Sequence, residues 1–234
     1  MPVRAIDSEG RNSDRALLNE SALRISCSAF ARITDTQGNY LLLTNIVKKR
    51  QGKTVLTPVG GAIEATPQGI TVISEMLGLT PESFDEGNDL RFVMNGKGVN
   101  TLLKWFLTRK DRETDPYREI VEELVTESGV LTDTDIPELE STPVSFAGYF
   151  GEIGLSTRSG QSGKLTLRLS EIHDVGLSER LVEKLKRAET GQFDDVLRFV
   201  SEDEIMAGRT TDGIEIGSVA NGLCRPQHTI GEIT

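Results

Sequence analysis

Two cysteines, two histidines and one tryptophan in 234 residues leave several chemistries without material. Cys27 and Cys224 are too few for a disulfide framework, and Cys27 lies in an apolar alternating run, the setting of a small buried hydrophobe rather than a nucleophile. His173 and His228 are not spaced as metal ligands, and neither has a sequence-level catalytic pairing, so each reads as structural or exposed. No apolar run approaches the roughly 20 residues of a membrane-spanning helix, and the polar leader beginning MPVRAIDSEG has no apolar signal segment. Positive charge is also short: 26 Lys and Arg against 36 Asp and Glu give a net charge of −10, a field that attracts neither a nucleic-acid backbone nor an anionic membrane. We therefore expect a cytoplasmic protein whose partner is a small molecule, with no nucleic acid and no membrane; a homodimer is compatible with the sequence.

A hydrophobic content of 37% is enough for a sizeable core, and the length suits one large domain over 23–234 behind a polar leader over 1–22. ALRISCSAFARITD alternates as a strand, TQGN turns the chain, and YLLLTNIV returns, a β-hairpin. KKRQGK follows as a basic loop, TVLTPV as a third strand and GGAIE as a tight glycine turn, after which Ile70, Ile73, Met76 and Leu77 recur at helical spacing up to Gly78. Strands mixed with helices, without regular βαβ alternation, predict an α+β fold built on a mixed sheet.

The segment DPYREIVEELVTESGVL, residues 115–131, crowds Glu119, Glu122 and Glu123 together. At roughly 100° per residue the three carboxylates form one ridge, while Ile120, Val121, Leu124 and Val125 face the other way, toward a core. Asp115 is a candidate N-cap, Pro116 suits the first helical position and Gly129 ends the element. Glu119 and Glu123 are like charges at i,i+4, and Arg118 alone offers local relief. Such a ridge is more comfortable around a hard divalent cation that takes oxygen ligands and leaves positions for phosphate.

Together, PVGGAIE and REIVEEL resemble the Nudix hydrolases. The family pattern is Gly, five residues, Glu, seven residues, then Arg-Glu-aliphatic-x-Glu-Glu-x-Gly-aliphatic. Gly61 opens it here, and Arg118, Glu119, Ile120, Glu122 and Glu123 match its second half, but Gly61 and Arg118 stand 57 positions apart, leaving 43 extra residues inside the box. Pro67 occupies the position of the middle glutamate, and Gly129 and Val130 supply the closing pair four residues late. A box broken in this way is similar to that of the Nudix domains found beside prokaryotic nucleotide-signalling antiviral systems.

The resemblance implies a mixed sheet sandwiched between helices, with segment 68–110 inserted between the two halves of the box. It makes Glu119, Glu122 and Glu123 ligands of Mg2+ or Mn2+, gives Glu119 a second role at the attacking water, and makes Arg118 the residue that holds the glutamates. The implied activity is hydrolysis of a nucleoside triphosphate, or another nucleoside-diphosphate derivative, to a monophosphate, in antiviral defence or nucleotide-pool clearance. A catalytically degenerate domain acting as a nucleotide sensor is the alternative. Gly60 and Gly61 would let the chain turn beside the helix, or form an ordinary loop. Arg50 and Lys53, with Lys48 and Lys49, would touch phosphate or form a solvated loop; Glu64 is an extra ligand or a turn residue. Glu152, Glu171 and Asp174 are open candidates for a further base. The inserted segment carries Ile70, Ile73, Met76, Leu102, Leu103, Trp105 and Phe106, too apolar for a linker, and is expected to fold against the core.

Overall fold

The computed structural model describes residues 22–85, 87–156 and 160–228, so the leader expected over 1–22 falls, Ala22 apart, outside the described residues. The chain is α+β. Its strands are β1 (Ala22–Arg32), β2 (Tyr40–Thr44), β3 (Val55–Ala62), β4 (Arg91–Asn95), β5 (Val144–Leu155), β6 (Leu165–Val175), β7 (Leu197–Val200) and β8 (Glu215–Ile216). The helices are α1 (Ile46–Arg50), α2 (Pro67–Leu77), α3 (Val99–Leu107), α4 (Tyr117–Val121), α5 (Ile136–Glu140), α6 (Glu179–Glu189), α7 (Glu202–Ala207) and α8 (Asn221–Cys224).

The eight strands make one mixed sheet in the order β5-β6-β1-β3-β2-β7, with β4 beside β1 and β8 beside β3. The expected β1–β2 hairpin does not zip up. The two strands meet only at their turn, where Thr34 bridges Tyr40, and β3 inserts between them, pairing with β1 through Ser28↔Ala62 and with β2 through Leu42↔Pro58. GGAIE is accordingly not a turn: Gly60, Gly61 and Ala62 continue β3 as a strand. The basic loop begins as α1, capped by the Asn45 side chain accepting from Lys48 N.

Alternation along β1 places Leu23, Ile25, Cys27, Ala29 and Ala31 on one face. Two apolar clusters cover that face. One joins the first half of β1 to Ile73, Phe92, Leu102, Leu103, Trp105 and Phe106 of the inserted segment; the other packs Ile120, Leu124 and Val125 with Leu181 and Leu185 of α6. Segment 68–110 thus supplies a sheet strand and two core helices. A third cluster, around Phe30, Leu42, Ile172, Ile205 and Leu223, covers only part of the opposite face.

Helix α4 is regular for one turn and then widens into a π-helical stretch over Glu122–Glu127, where Ser128 N donates to Glu123 O at 3.1 Å. The wider turn lets Leu124 and its neighbour Val125 both reach the core, which a uniform 100° step serves less well. Gly129, at φ 66°, ends the stretch in the left-handed conformation.

Candidate active site

Pairing between β2 and β3 stops at Pro58, so beyond it the edge of β3 facing away from β1 has no strand beside it. Helix α4 lies along that edge. The helix is capped by Pro116 rather than by Asp115, whose Oδ1 accepts from Tyr117 N at 3.0 Å just ahead of it; from its side Glu123 Oε2 accepts from Gly60 N at 2.7 Å, and Arg118 Nη2 donates to Ala62 O at 2.8 Å. Glu119 fills the space over Gly61, where a Cβ would stand 2.5 Å from its Cδ. The two halves of the broken box are thus in direct contact, and the ridge does not face solvent as one surface: the Glu122 side chain is 47% exposed, but Glu119 is only 13% exposed and turned to β3.

Arg118 ties the cluster together. Its guanidinium donates to Glu113 Oε1 at 2.7 Å and Oε2 at 3.0 Å, bonds both Glu122 oxygens at 3.2 and 3.1 Å, and pairs with Glu119 at 2.8 Å. Glu113 is the residue that sequence spacing missed. Its carboxylate also accepts from Glu64 N at 2.9 Å, and its own N–H donates to Glu64 O, so it laces the residues after β3 to the start of α4. Pro67, at the position where a middle glutamate was sought, is the first residue of α2 instead, capped by Thr66. Glu113 stands five residues before Arg118 rather than eight, and only the three-dimensional path of the insertion brings it there. Beside Glu113 and the other carboxylates, the Arg118 guanidinium is held even more firmly protonated than usual.

Burial pushes the Glu119 carboxyl up to about 7, against the pull of Arg118, and Glu123 up to about 8, where the hydrogen bond from Gly60 N opposes the rise and Glu119, Glu127 and Glu122 add repulsion. As placed, no three His, Cys, Asp or Glu side chains among the described residues converge closely enough to hold a metal: Glu122 is drawn to Arg118 and Glu123 to Gly60. The donor chemistry nonetheless fits a hard cation. Three carboxylates occupy neighbouring turns of one element, and charging the two more buried ones needs more positive charge than Arg118 provides.

The remaining candidates are dispersed. Arg50 and Lys53 are exposed at the other end of β3, about 20 Å from Gly61 at strand rise, and Lys49 pairs with Asp195. Asp174 pairs with Arg32. His228 is exposed, whereas His173 is 1% exposed, 3.3 Å from the fully buried Glu171. Glu171 is also 2.5 Å from Arg112 and 3.1 Å from Arg109; burial alone would raise its pKa, but His173 and the arginines bring it below the usual value. Arg109 stacks on Phe146 at 4.2 Å beside a cleft of about 590 Å3 lined also by Tyr117 and His173. Tyr117 and Glu119 are about 200° apart on α4, so this cleft and the glutamates lie on opposite sides of the helix. Arg112→Ala leaves the buried Glu171 charged and underpaired and is expected to cost about 3–5 kcal/mol in urea unfolding. A loss under about 1 kcal/mol would show that solvent reaches Glu171.

Comparison with known families agrees with the resemblance carried by PVGGAIE and REIVEEL: this is a Nudix domain. More narrowly, the chain belongs to the family of SMODS-associated NUDIX domains, whose profile it matches over residues 22–223, inserted segment included. No curated protein and no solved structure matches it. Membership gives the chain a nucleotide-related hydrolase or sensor role, in a family whose enzymes usually use divalent metals. Among the described residues no helix is long and apolar enough to cross a membrane.

Proposed function

We propose that this domain is a metal-dependent pyrophosphohydrolase acting on a nucleoside triphosphate or another nucleoside-diphosphate derivative and releasing a nucleoside monophosphate. The observation that carries the reading is the meeting of Glu119, Glu123 and Arg118 on the open glycine edge of β3. Glu119, Glu122 and Glu123 would hold Mg2+ or Mn2+, which when bound neutralises pyrophosphate charge and makes water more acidic. Arg118, fixed by Glu113 and Ala62 O, keeps the carboxylates in register with β3. Glu119, its carboxyl raised to about 7, is suited to accept a proton from an attacking water near neutral pH. Gly61 leaves room for that carboxylate beside the strand. In this reading the protein serves antiviral defence or nucleotide-pool clearance.

One observation favours a second reading, a sensor that binds a nucleotide without cutting it: the carboxylates as placed do not converge. A nucleotide panel with Mg2+ and with Mn2+, resolving pyrophosphate from orthophosphate, separates the two. The expected products are a nucleoside monophosphate and pyrophosphate, absent with Glu119→Gln. Orthophosphate as the sole primary product, absent from the variant, would overturn the pyrophosphohydrolase assignment while keeping the site. Saturable nucleotide binding without turnover would select the sensor.

A further inference from the structure

The inserted segment returns to the glutamate helix through a short pairing of its own. Glu113 N donates to Glu64 O, Thr66 N donates to Asp111 O, and Arg112 bridges Ala65 between them, so residues 111–113 run antiparallel to residues 64–66. Asp111 enters the pairing at φ 59°, after Arg109 at φ 54°, both left-handed without being glycine. Neighbouring side chains then part. Glu113 turns to Arg118, whereas Arg112 turns inward, its side chain fully buried.

The Arg112 guanidinium fastens three elements at once. Nη2 donates to Phe106 O at 2.7 Å, at the end of α3, and to Glu171 Oε1 of β6 at 2.5 Å; Nη1 donates to Glu113 O at 2.8 Å. Stability alone does not call for this arrangement. Arg112 Nε finds no acceptor among the described residues, and a buried ion pair is often replaced by apolar side chains without loss. What the arginine adds is a fixed place for the Glu113 peptide, whose carboxylate grips Arg118 five residues on. Anchor and site also share one face of the sheet. Glu171 is in register with Ala29, and Ala29 with Gly61, over which Glu119 sits; Leu169, Cys27 and Val59, two residues along each strand, are all core. Glu171 and Gly61 are thus about 10 Å apart, two strand spacings across the small Ala29 side chain.

We propose that Arg112 is a positioning residue for the glutamate site: anchored on Glu171, it sets where the insertion delivers Glu113, and through Glu113 and Arg118 it aligns the carboxylates over the glycine edge of β3. Its role rests on the reading of those glutamates as a divalent-cation site. A carboxylate displaced by about 1 Å is enough to cost a large part of the rate, so the long excursion between the halves of the box needs such an anchor at its return.

Two variants of the full chain test this. Arg112→Met combined with Glu171→Met removes both buried charges, so it orphans neither and is expected to fold; Arg112→Lys keeps the charge but loses the fork that reaches three acceptors. In metal-free protein, hydrogen exchange at Gly60 and Glu64, whose amides donate to Glu123 and Glu113, is expected to quicken about 10-fold or more in the double variant, with Arg112→Lys between. Thr44, whose amide donates to Val196 O in a distant part of the sheet, should not change. Mg2+ affinity by titration calorimetry should fall about 10-fold, and kcat by a similar factor with nucleotide KM nearly constant. Wild-type exchange at Gly60 and Glu64 with wild-type Mg2+ affinity overturns the proposal, as does exchange that rises equally at Thr44, the mark of a global loss of stability. Arg112→Lys decides alone if the double variant does not fold. Altered exchange and Mg2+ affinity in a chain that hydrolyses no nucleotide upholds Arg112 and removes the hydrolase, whereas wild-type protein that binds no Mg2+ overturns both.

Discussion

Glu123→Gln is expected to lower metal-dependent hydrolysis by about 10²–10⁴-fold, the scale of several kcal/mol of transition-state charge stabilisation, while making the metal-free protein more stable at high pH. The stability half follows from burial. Glu123 titrates at about 8 in the folded chain against an ordinary 4.5, so the folded state binds its proton more tightly than the unfolded state does. Stability from this group is then present at low pH and lost as pH rises from about 5 to about 8, because over that window the folded state must give up a proton the unfolded chain has already released. Glutamine keeps the shape and the Gly60 hydrogen bond without the charge. Thermal melts of metal-free protein at pH 9 should show the variant about 2–4 °C above wild type, with the gap closing toward pH 5. Mg2+ should reverse the order at pH 9 by stabilising wild type alone. Coincident melting curves at both pH values, or wild-type turnover in the variant, would remove Glu123 from the site.

The paired variants Gly60→Ala and Gly61→Ala should separate folding from function at adjacent positions. Gly60 has φ 134°, a region L side chains rarely adopt, and an added Cβ would meet the Ala29 carbonyl and stand 2.9 Å from Phe30 Cα, backbone of the central strand that cannot yield cheaply. Loss of several kcal/mol, enough to unfold a protein of ordinary marginal stability, is expected there. At Gly61 the obstacle is instead the end of the Glu119 side chain, which can swing aside. Gly61→Ala should therefore fold, melt within about 1 kcal/mol of wild type, and lose at least 10-fold in turnover because Glu119 is displaced. A Gly61→Ala protein with full activity would show that the carboxylate need not occupy that space.

The parts legible in sequence are those whose information is local. REIVEE carries its own helical spacing and PVGG its own strand end, so the carboxylates, Arg118 and the two glycines could be named without a structure. Alternation along β1 sorted its core residues, but β1 and β2 are joined by a short turn, and nothing in the turn announces that β3 will slip between them. Pairing across a sheet is settled by which edges remain open, and that is a property of the whole molecule. Glu113 failed to register for a related reason: its role depends on where the insertion returns the chain. Arg112 and Glu171 are single charges 59 residues apart, and only the pairing of the insertion's return with Ala65 brings them together.

The place of β1 at the centre of the sheet has a consequence for how the chain comes off the ribosome. Its parallel neighbour β6 joins it from far downstream, Arg32 pairing with Asp174 across 142 residues. At about 5–20 residues per second that partner is synthesised about 7–30 s after β1. Throughout that interval one edge of the central strand has nothing of its own to pair with, and the glutamate helix, emerging earlier, has only half a sheet to dock on. Ribosome pausing or truncation anywhere before Leu165 would hold the domain in that open-edged state, where aggregation and proteolysis compete with completion of the sheet.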